Sequence, residues 1–263
     1  MRERSQFFVL ISSVICAAAL TQTEASLASP AIIGGELVTA SDPIASTTVA
    51  IIGRSGRSEF LCSASVLAED LAVTAGHCLG EDGKADLTLV FDIGVEHAKT
   101  TRHVTGALRP AQYLGDASLA ENMFDIALVH FAGGLPSGYR PVEVLRDPEV
   151  LLDGQEVVLA GYGLDQTPSV DPSGSGVGTL RKVKVAIQEA RTTGTEIRMD
   201  ISHGKGACMG DSGGPAFVEQ QGTLYFFGIT SRGDWNCSKT AIYTNALTHL
   251  DWLDETAKAL RGN

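Results

Sequence analysis

The chain has 263 residues, with 20 Lys+Arg against 31 Asp+Glu and a formal net charge of −11. A hydrophobic content of 44% and a charged content of 19% exclude intrinsic disorder and supply a real core for one or two domains. The acidic balance excludes nucleic acid as the main partner, because phosphate binding needs a basic face. The 29 glycines and 6% aromatics fit a loop-rich β protein better than a helical one.

In chain order, Arg2 and Arg4 precede an apolar run over residues 7–20, which Ala25, Ser26 and Ala28 follow. The run is too short to span a bilayer. A basic start, an apolar middle and a small-residue exit read as a secretory signal peptide over residues 1–28. A lipid anchor on Cys16 is disfavoured, because Ile15 is large where a small residue is wanted. The expected product is a secreted protein, extracellular or periplasmic, with no stable membrane anchor.

Short strand-like runs recur after Ile32, at 47–52, 60–66, 71–74, 87–91, 126–131, 157–160, 180–187, 197–201, 224–229 and 241–244. Gly, Pro, Asp and Ser cluster between them, which predicts an all-β sandwich or barrels. A Gly- and Pro-containing passage over 133–148 splits the runs into two halves, and residues 174–178 read as an exposed loop. At the end, Ala246, Leu247, Leu250, Leu253, Ala257 and Leu260 recur at three- and four-residue steps, which predicts a helix.

Removing the signal segment leaves Cys62, Cys78, Cys208 and Cys237. An even set behind an export signal implies disulfides. Three pairings are open. Pairing neighbours would close two short loops, each contributing roughly 3 kcal/mol. No Cys-x-x-Cys occurs, so no zinc site is expected.

The segment Gly210-Asp211-Ser212-Gly213-Gly214-Pro215 is the most informative. Its glycines permit tight curvature around a serine whose neighbouring N–H groups converge, as an attacking hydroxyl with an oxyanion hole requires. The same residues satisfy the G-x-S-x-G elbow of α/β-hydrolases. That fold needs an acid and a base after the serine, for which only 51 residues remain, offering Asp234 and His249, and alternating strands and helices before it, which are lacking. A base is offered by His77, beside Cys78, where a cross-link would fix its backbone. An orienting acid is offered by Asp125, opening the apolar run Ile126-Ala127-Leu128.

These motifs, in the order His77, Asp125, Ser212, resemble the chymotrypsin/trypsin family of serine peptidases, in its bacterial-type secreted form. The resemblance covers nearly the whole chain after Ile32. Ile32-Ile33-Gly34-Gly35 resembles the family's mature N-terminus, and Gly161-Tyr162-Gly163 the opening of its second barrel. The implied fold is two packed six-stranded antiparallel β-barrels with a C-terminal α-helix. The barrels would occupy 32–135 and 153–245, with a linker over 136–152, a terminal helix over 246–263 and a short propeptide over 29–31. The implied bridges are Cys62–Cys78 and Cys208–Cys237.

The resemblance also implies roles. Ser212 attacks the carbonyl, His77 transfers the proton and Asp125 orients His77. The N–H groups of Gly210 and Ser212 form the oxyanion hole. Ser231 and Gly233 pair with the substrate backbone. Gly206 and Ala207 form the base of the specificity pocket, and Gly233 and Ala241 its walls. None of these carries charge, so an apolar side chain is expected there rather than Lys or Arg; Asp234 is the nearest acid that could enter from a loop.

Activation would pair a new amine on Ile32 with Asp211, after a cut behind Ala31 that a tryptic activator would not make. Two departures stand out: Gly76 precedes the histidine where alanine is usual, and Arg232 replaces a usual tryptophan. A third bridge common in animal relatives has no cysteines here. The expected partners are a protein or peptide substrate and a protein inhibitor, on a monomer that needs no cofactor or metal. A non-catalytic binding protein on the same fold is disfavoured, because all three reactive residues are kept.

Overall fold

The computed structural model describes residues 32–115, 123–171 and 176–262. The signal-peptide and propeptide expectations, and part of the loop expected over 174–178, lie outside the described residues. No helix among them is long and apolar enough to cross a membrane.

The first half forms a closed barrel. Its strands are β2 (Thr48–Ser55), β3 (Ser58–Ala68), β4 (Leu71–Thr74), β5 (Asp86–Val90), β6 (Thr101–Leu108) and β7 (Ala127–Phe131), arranged in the order β2-β3-β4-β7-β6-β5. Val49, Ile51, Leu89, Leu128 and Phe131 belong to the buried apolar cluster around it. A short leading strand, β1 (Glu36–Leu37), does not join this barrel. It pairs instead with β10 (Arg181–Glu189) of the second half.

The second barrel follows β8 (Glu143–Val144) and uses β9 (Glu156–Gly161), β10, β11 (Glu196–Asp200), β12 (Pro215–Gln220), β13 (Thr223–Gly233) and β14 (Thr240–Asn245). Its strands run β10-β11-β14-β13-β12-β9, and pairing of β9 with β10 closes the ring. β10 shows the period-2 logic clearly: Arg181, Val183, Val185 and Ile187 are buried, while Lys182 and Lys184 face outward. Tyr162, fully buried just after β9, donates its hydroxyl to the carbonyl of Asp92 at 2.8 Å and so ties the second half to the first.

Two sequence expectations differ in detail. The passage expected as a linker over 136–152 contains β8, which runs parallel to β13, and a 3-10 turn Pro148–Val150. The α-helix, α1, spans Leu250–Arg261 rather than beginning at Ala246. Residues Ala246–His249 form a 3-10 turn because the Asn245 side chain accepts the N–H of Leu247 at 3.1 Å, tightening the chain there. The apolar face of α1 packs on the first barrel; a Cβ on Gly106 of β6 would lie 3.1 Å from Leu260. Arg261 anchors its end, with Nε donating to Asp70 Oδ2 at 2.9 Å.

Candidate active site

His77 sits on a 3-10 turn, Gly76–Leu79, directly after β4. The disulfide Cys62–Cys78 ties this turn to β3. Asp125 lies just before β7, which pairs with β4, so the barrel brings the two side chains together. The Nδ1 of His77 is 2.8 Å from Asp125 Oδ2, and the His77 N–H donates to Oδ1 at 2.9 Å. Asp125 is 2% exposed. Burial alone would raise its pKa. Attraction to His77 and hydrogen bonds from His77 and Ser231 outweigh that, holding the carboxyl below its ordinary value. The Ser231 hydroxyl donates to Oδ2 at 2.6 Å, and the Thr244 hydroxyl donates to the Asp125 carbonyl at 2.9 Å.

Ser212 lies on the turn between the Cys208–Cys237 disulfide and β12. The turn is pinned from both barrels. The Ser63 N–H donates to the Ser212 carbonyl at 2.7 Å, and the Gly213 N–H to the Thr230 carbonyl at 2.8 Å. Gly213 has φ +82, and a Cβ there would lie 2.0 Å from Thr74 Oγ1 and 2.3 Å from the Ser63 carbonyl oxygen. Only glycine fits that approach. Asp211 and Gly214 direct their N–H groups to the carbonyls of Cys208 and Asp211, whereas among the described residues the N–H groups of Gly210 and Ser212 donate to no protein acceptor. These are the two amides assigned to the oxyanion hole.

His77, Gly210 and Ser212 line one open cleft of about 580 Å³. A second cavity of about 160 Å³ opens behind Ser212. Its lining includes Ala207, Ser231, Gly233 and Ala241, but not Gly206. Gly206 instead exchanges two backbone hydrogen bonds with Ile33, at 2.9 and 3.0 Å. A Cβ on Gly206 would lie 2.1 Å from Ile201 Cγ2. Ala207 thus lines the cavity directly, and Gly206 couples the start of that segment to the residues after Ile32.

Asp234 also lines this cavity. Its carboxylate accepts N–H groups from Ser238, Lys239 and Thr240, and the Ser238 hydroxyl, at 2.8 to 3.2 Å. Although burial opposes ionisation there, these bonds hold its pKa below the ordinary value. The carboxylate is occupied in shaping its own loop. Trp235 beside it is 70% exposed.

Asp211 is fully buried and accepts the N–H groups of Cys208 and Gly163, each at 2.8 Å. A Cβ on Gly163 would lie 2.6 Å from the carboxylate, which explains a glycine after Tyr162. Burial outweighs those bonds and pushes the Asp211 pKa up to about 7. No cationic side chain among the described residues pairs with it. Ile32 is fully buried in the apolar cluster that also holds Ala207 and Cys208.

Cys62, His77 and Cys78 converge closely enough to suggest a metal site. The two sulfurs are bonded to each other, however, and a disulfide offers no thiolate. Sequence reasoning missed Ser63, Thr244 and the hydroxyl role of Ser231. All three act across barrel contacts that local pattern does not reveal.

The chain matches the Trypsin family model over residues 32–253. It is 27% identical over 222 residues to trypsin Blo t 3 of Blomia tropicalis, covering 75% of this chain and 77% of that protein. It is 27% identical over 227 residues to trypsin-1 of Astacus astacus, covering 77% and 90%. It is 24% identical over 214 residues to a chymotrypsin of Phaedon cochleariae, covering 77% and 74%. With two closed barrels, two disulfides and this match across both halves, the chain belongs to the trypsin family of serine peptidases.

Proposed function

We propose that the protein is a secreted serine endopeptidase, made as an inactive precursor, that cuts after uncharged apolar residues. One observation carries the catalytic part: His77 is held by buried Asp125 at 2.8 Å and shares a cleft with Ser212. The Oγ of Ser212 attacks the substrate carbonyl carbon as its proton passes to Nε2 of His77. Asp125 fixes the tautomer and stabilises the imidazolium. The oxyanion takes the N–H groups of Gly210 and Ser212. Return of the proton to the leaving amine breaks the C–N bond and leaves an acyl-serine. Water, deprotonated by His77, then attacks that ester, and Ser212 leaves with its proton restored.

Specificity follows from the cavity behind Ser212. Ala207, Gly233 and Ala241 give it small uncharged walls, and Asp234 is spent on its loop. A buried Lys or Arg would find no ready partner.

Activation follows from Ile32 and Asp211. Ile32 has φ 47, a left-handed value that a β-branched residue adopts only under strain. That torsion exists only while the preceding peptide bond is intact. A cut before Ile32 removes the strain and creates an ammonium for the buried carboxylate.

Matched peptides carrying Leu, Met, Phe or Arg before the scissile bond, with fluorophosphonate labelling of Ser212, test the reading. Faster cleavage after Arg overturns the specificity, and an activated protein that neither labels nor cleaves overturns the catalytic assignment.

A further inference from the structure

Beside His77 lies a third cavity, of about 470 Å³, whose lining includes Tyr113, Met123 and Arg232. Arg232 also borders the cavity behind Ser212, so its side chain divides the two. It is not a loose surface arginine. Its two Nη atoms reach the two carboxylate oxygens of Glu196 at 2.8 and 3.1 Å, and Nη1 lies 3.5 Å from Ser231 Oγ. The Glu196 side chain is only 3% exposed and that of Arg232 19%. Glu196 also accepts the Met123 N–H at 3.2 Å. The pair thus fixes three segments: the start of β11, the edge of β13 and the chain leading to Asp125.

We propose that the Arg232–Glu196 ion pair is a specificity-determining device that makes this third cavity select an aromatic side chain from the substrate. The inference rests on the endopeptidase reading. A substrate strand laid along Ser231–Gly233, with one side chain behind Ser212, turns its preceding side chain to the opposite face, beside His77. There the guanidinium is held by its edge in the two-point geometry that carboxylates favour. A planar cation held in this way offers its face to an aromatic ring. The Met123 thioether suits the same guest through sulfur contact, while the Tyr113 ring, one face of which carries the Arg109 guanidinium 4.4 Å from its centroid, adds apolar wall. An acidic guest gains little, because Glu196 balances the cation from behind and Glu81 adds negative charge to the lining.

The test uses the activated enzyme and peptides with a fixed Leu before the cut and Phe, Ala, Asp or Lys one residue earlier. The wild type should favour Phe over Ala in kcat/KM by roughly two- to thirtyfold, the range of cation–π contacts. Glu196→Gln leaves the cation unbalanced and should raise the Asp/Ala ratio about tenfold. Loss of that buried charge endangers folding, so the neutral pair Glu196→Gln with Arg232→Gln is made as well; it should level both ratios. Cleavage of the Ala, Asp or Lys peptide as fast as the Phe peptide by the wild type overturns the proposal while leaving the peptidase reading intact. An aromatic preference that survives in the neutral pair also overturns it. If none of the peptides is cut, both readings fall.

Discussion

The buried carboxylate of Asp211 gives the activation reading a thermodynamic signature. In the uncut chain its pKa stands at about 7 against an ordinary 3.8, with burial as the largest cause. Between those values the folded chain holds a proton that the unfolded chain has lost, so stability falls as pH rises. The full loss across the window is about 4 kcal/mol, and between about pH 4.5 and about pH 7.5 it amounts to about 3 kcal/mol. A cut before Ile32 supplies an ammonium that favours the ionised carboxylate, which should remove most of this loss. The measurement is urea unfolding at both pH values on a Ser212→Ala background, which prevents self-digestion. Four proteins are compared: the uncut chain, the chain cut before Ile32, and each with Asp211→Asn. Over that pH interval the uncut chain should lose about 3 kcal/mol more than the same chain carrying Asp211→Asn, whereas the cut pair should run nearly parallel. Parallel pH profiles for the uncut pair would refute the buried-carboxylate argument. A divergence that persists after cutting would refute the pairing with Ile32.

Ser212→Ala or His77→Ala should each lower peptide hydrolysis by several orders of magnitude while leaving thermal unfolding nearly unchanged, because the reactive groups act as one unit; near-normal turnover of purified Ser212→Ala would sink the mechanism. Replacing both cysteines of one bridge by serine should cost about 3 to 4 kcal/mol for either closed loop, with sequence separations of 16 and 29 residues. Calorimetry reads that loss, and no drop in stability would show that the bridge is a passenger. The Cys62 and Cys78 replacement should also lower kcat, since that bridge holds the turn bearing His77.

Much of the site was legible because its constraints are local. Backbone curvature at Ser212 demands glycine, and glycine is visible in a sequence. The cysteines beside His77 and before Ser212 mark the two segments that must be held. Most barrel strands announced themselves by short apolar runs, but β6 and β12 did not. Along β6 the partly buried alternate positions include Arg102, Val104 and Gly106, so one face carries a single large apolar residue and no alternation shows. β12 starts at Pro215, directly after the serine turn, and its buried residues Ala216, Phe217 and Val218 form an unbroken run that the preceding motif absorbs.

What the sequence hid was the set of partners that meet only after both barrels close. Ser231 reaches Asp125 across 106 residues, and Thr244 reaches it across 119. The register of β13 against β14 shifts between Thr230 and Arg232, so two steps on one strand face one on the other. Such a bulge re-aims a side chain that strict alternation would place elsewhere. Here it coincides with Ser231, whose hydroxyl turns to Asp125, and is followed by Arg232, whose guanidinium turns to Glu196. No period-2 reading of the residues before Gly233 can supply that displacement. It depends on where β14 ends its pairing, and hence on the short loop that Asp234 and the Cys208–Cys237 bridge hold in place. The same local irregularity therefore orients the carboxylate beside His77 and sets the wall between the cavity behind Ser212 and the one beside His77, so both depend on one bulged strand edge.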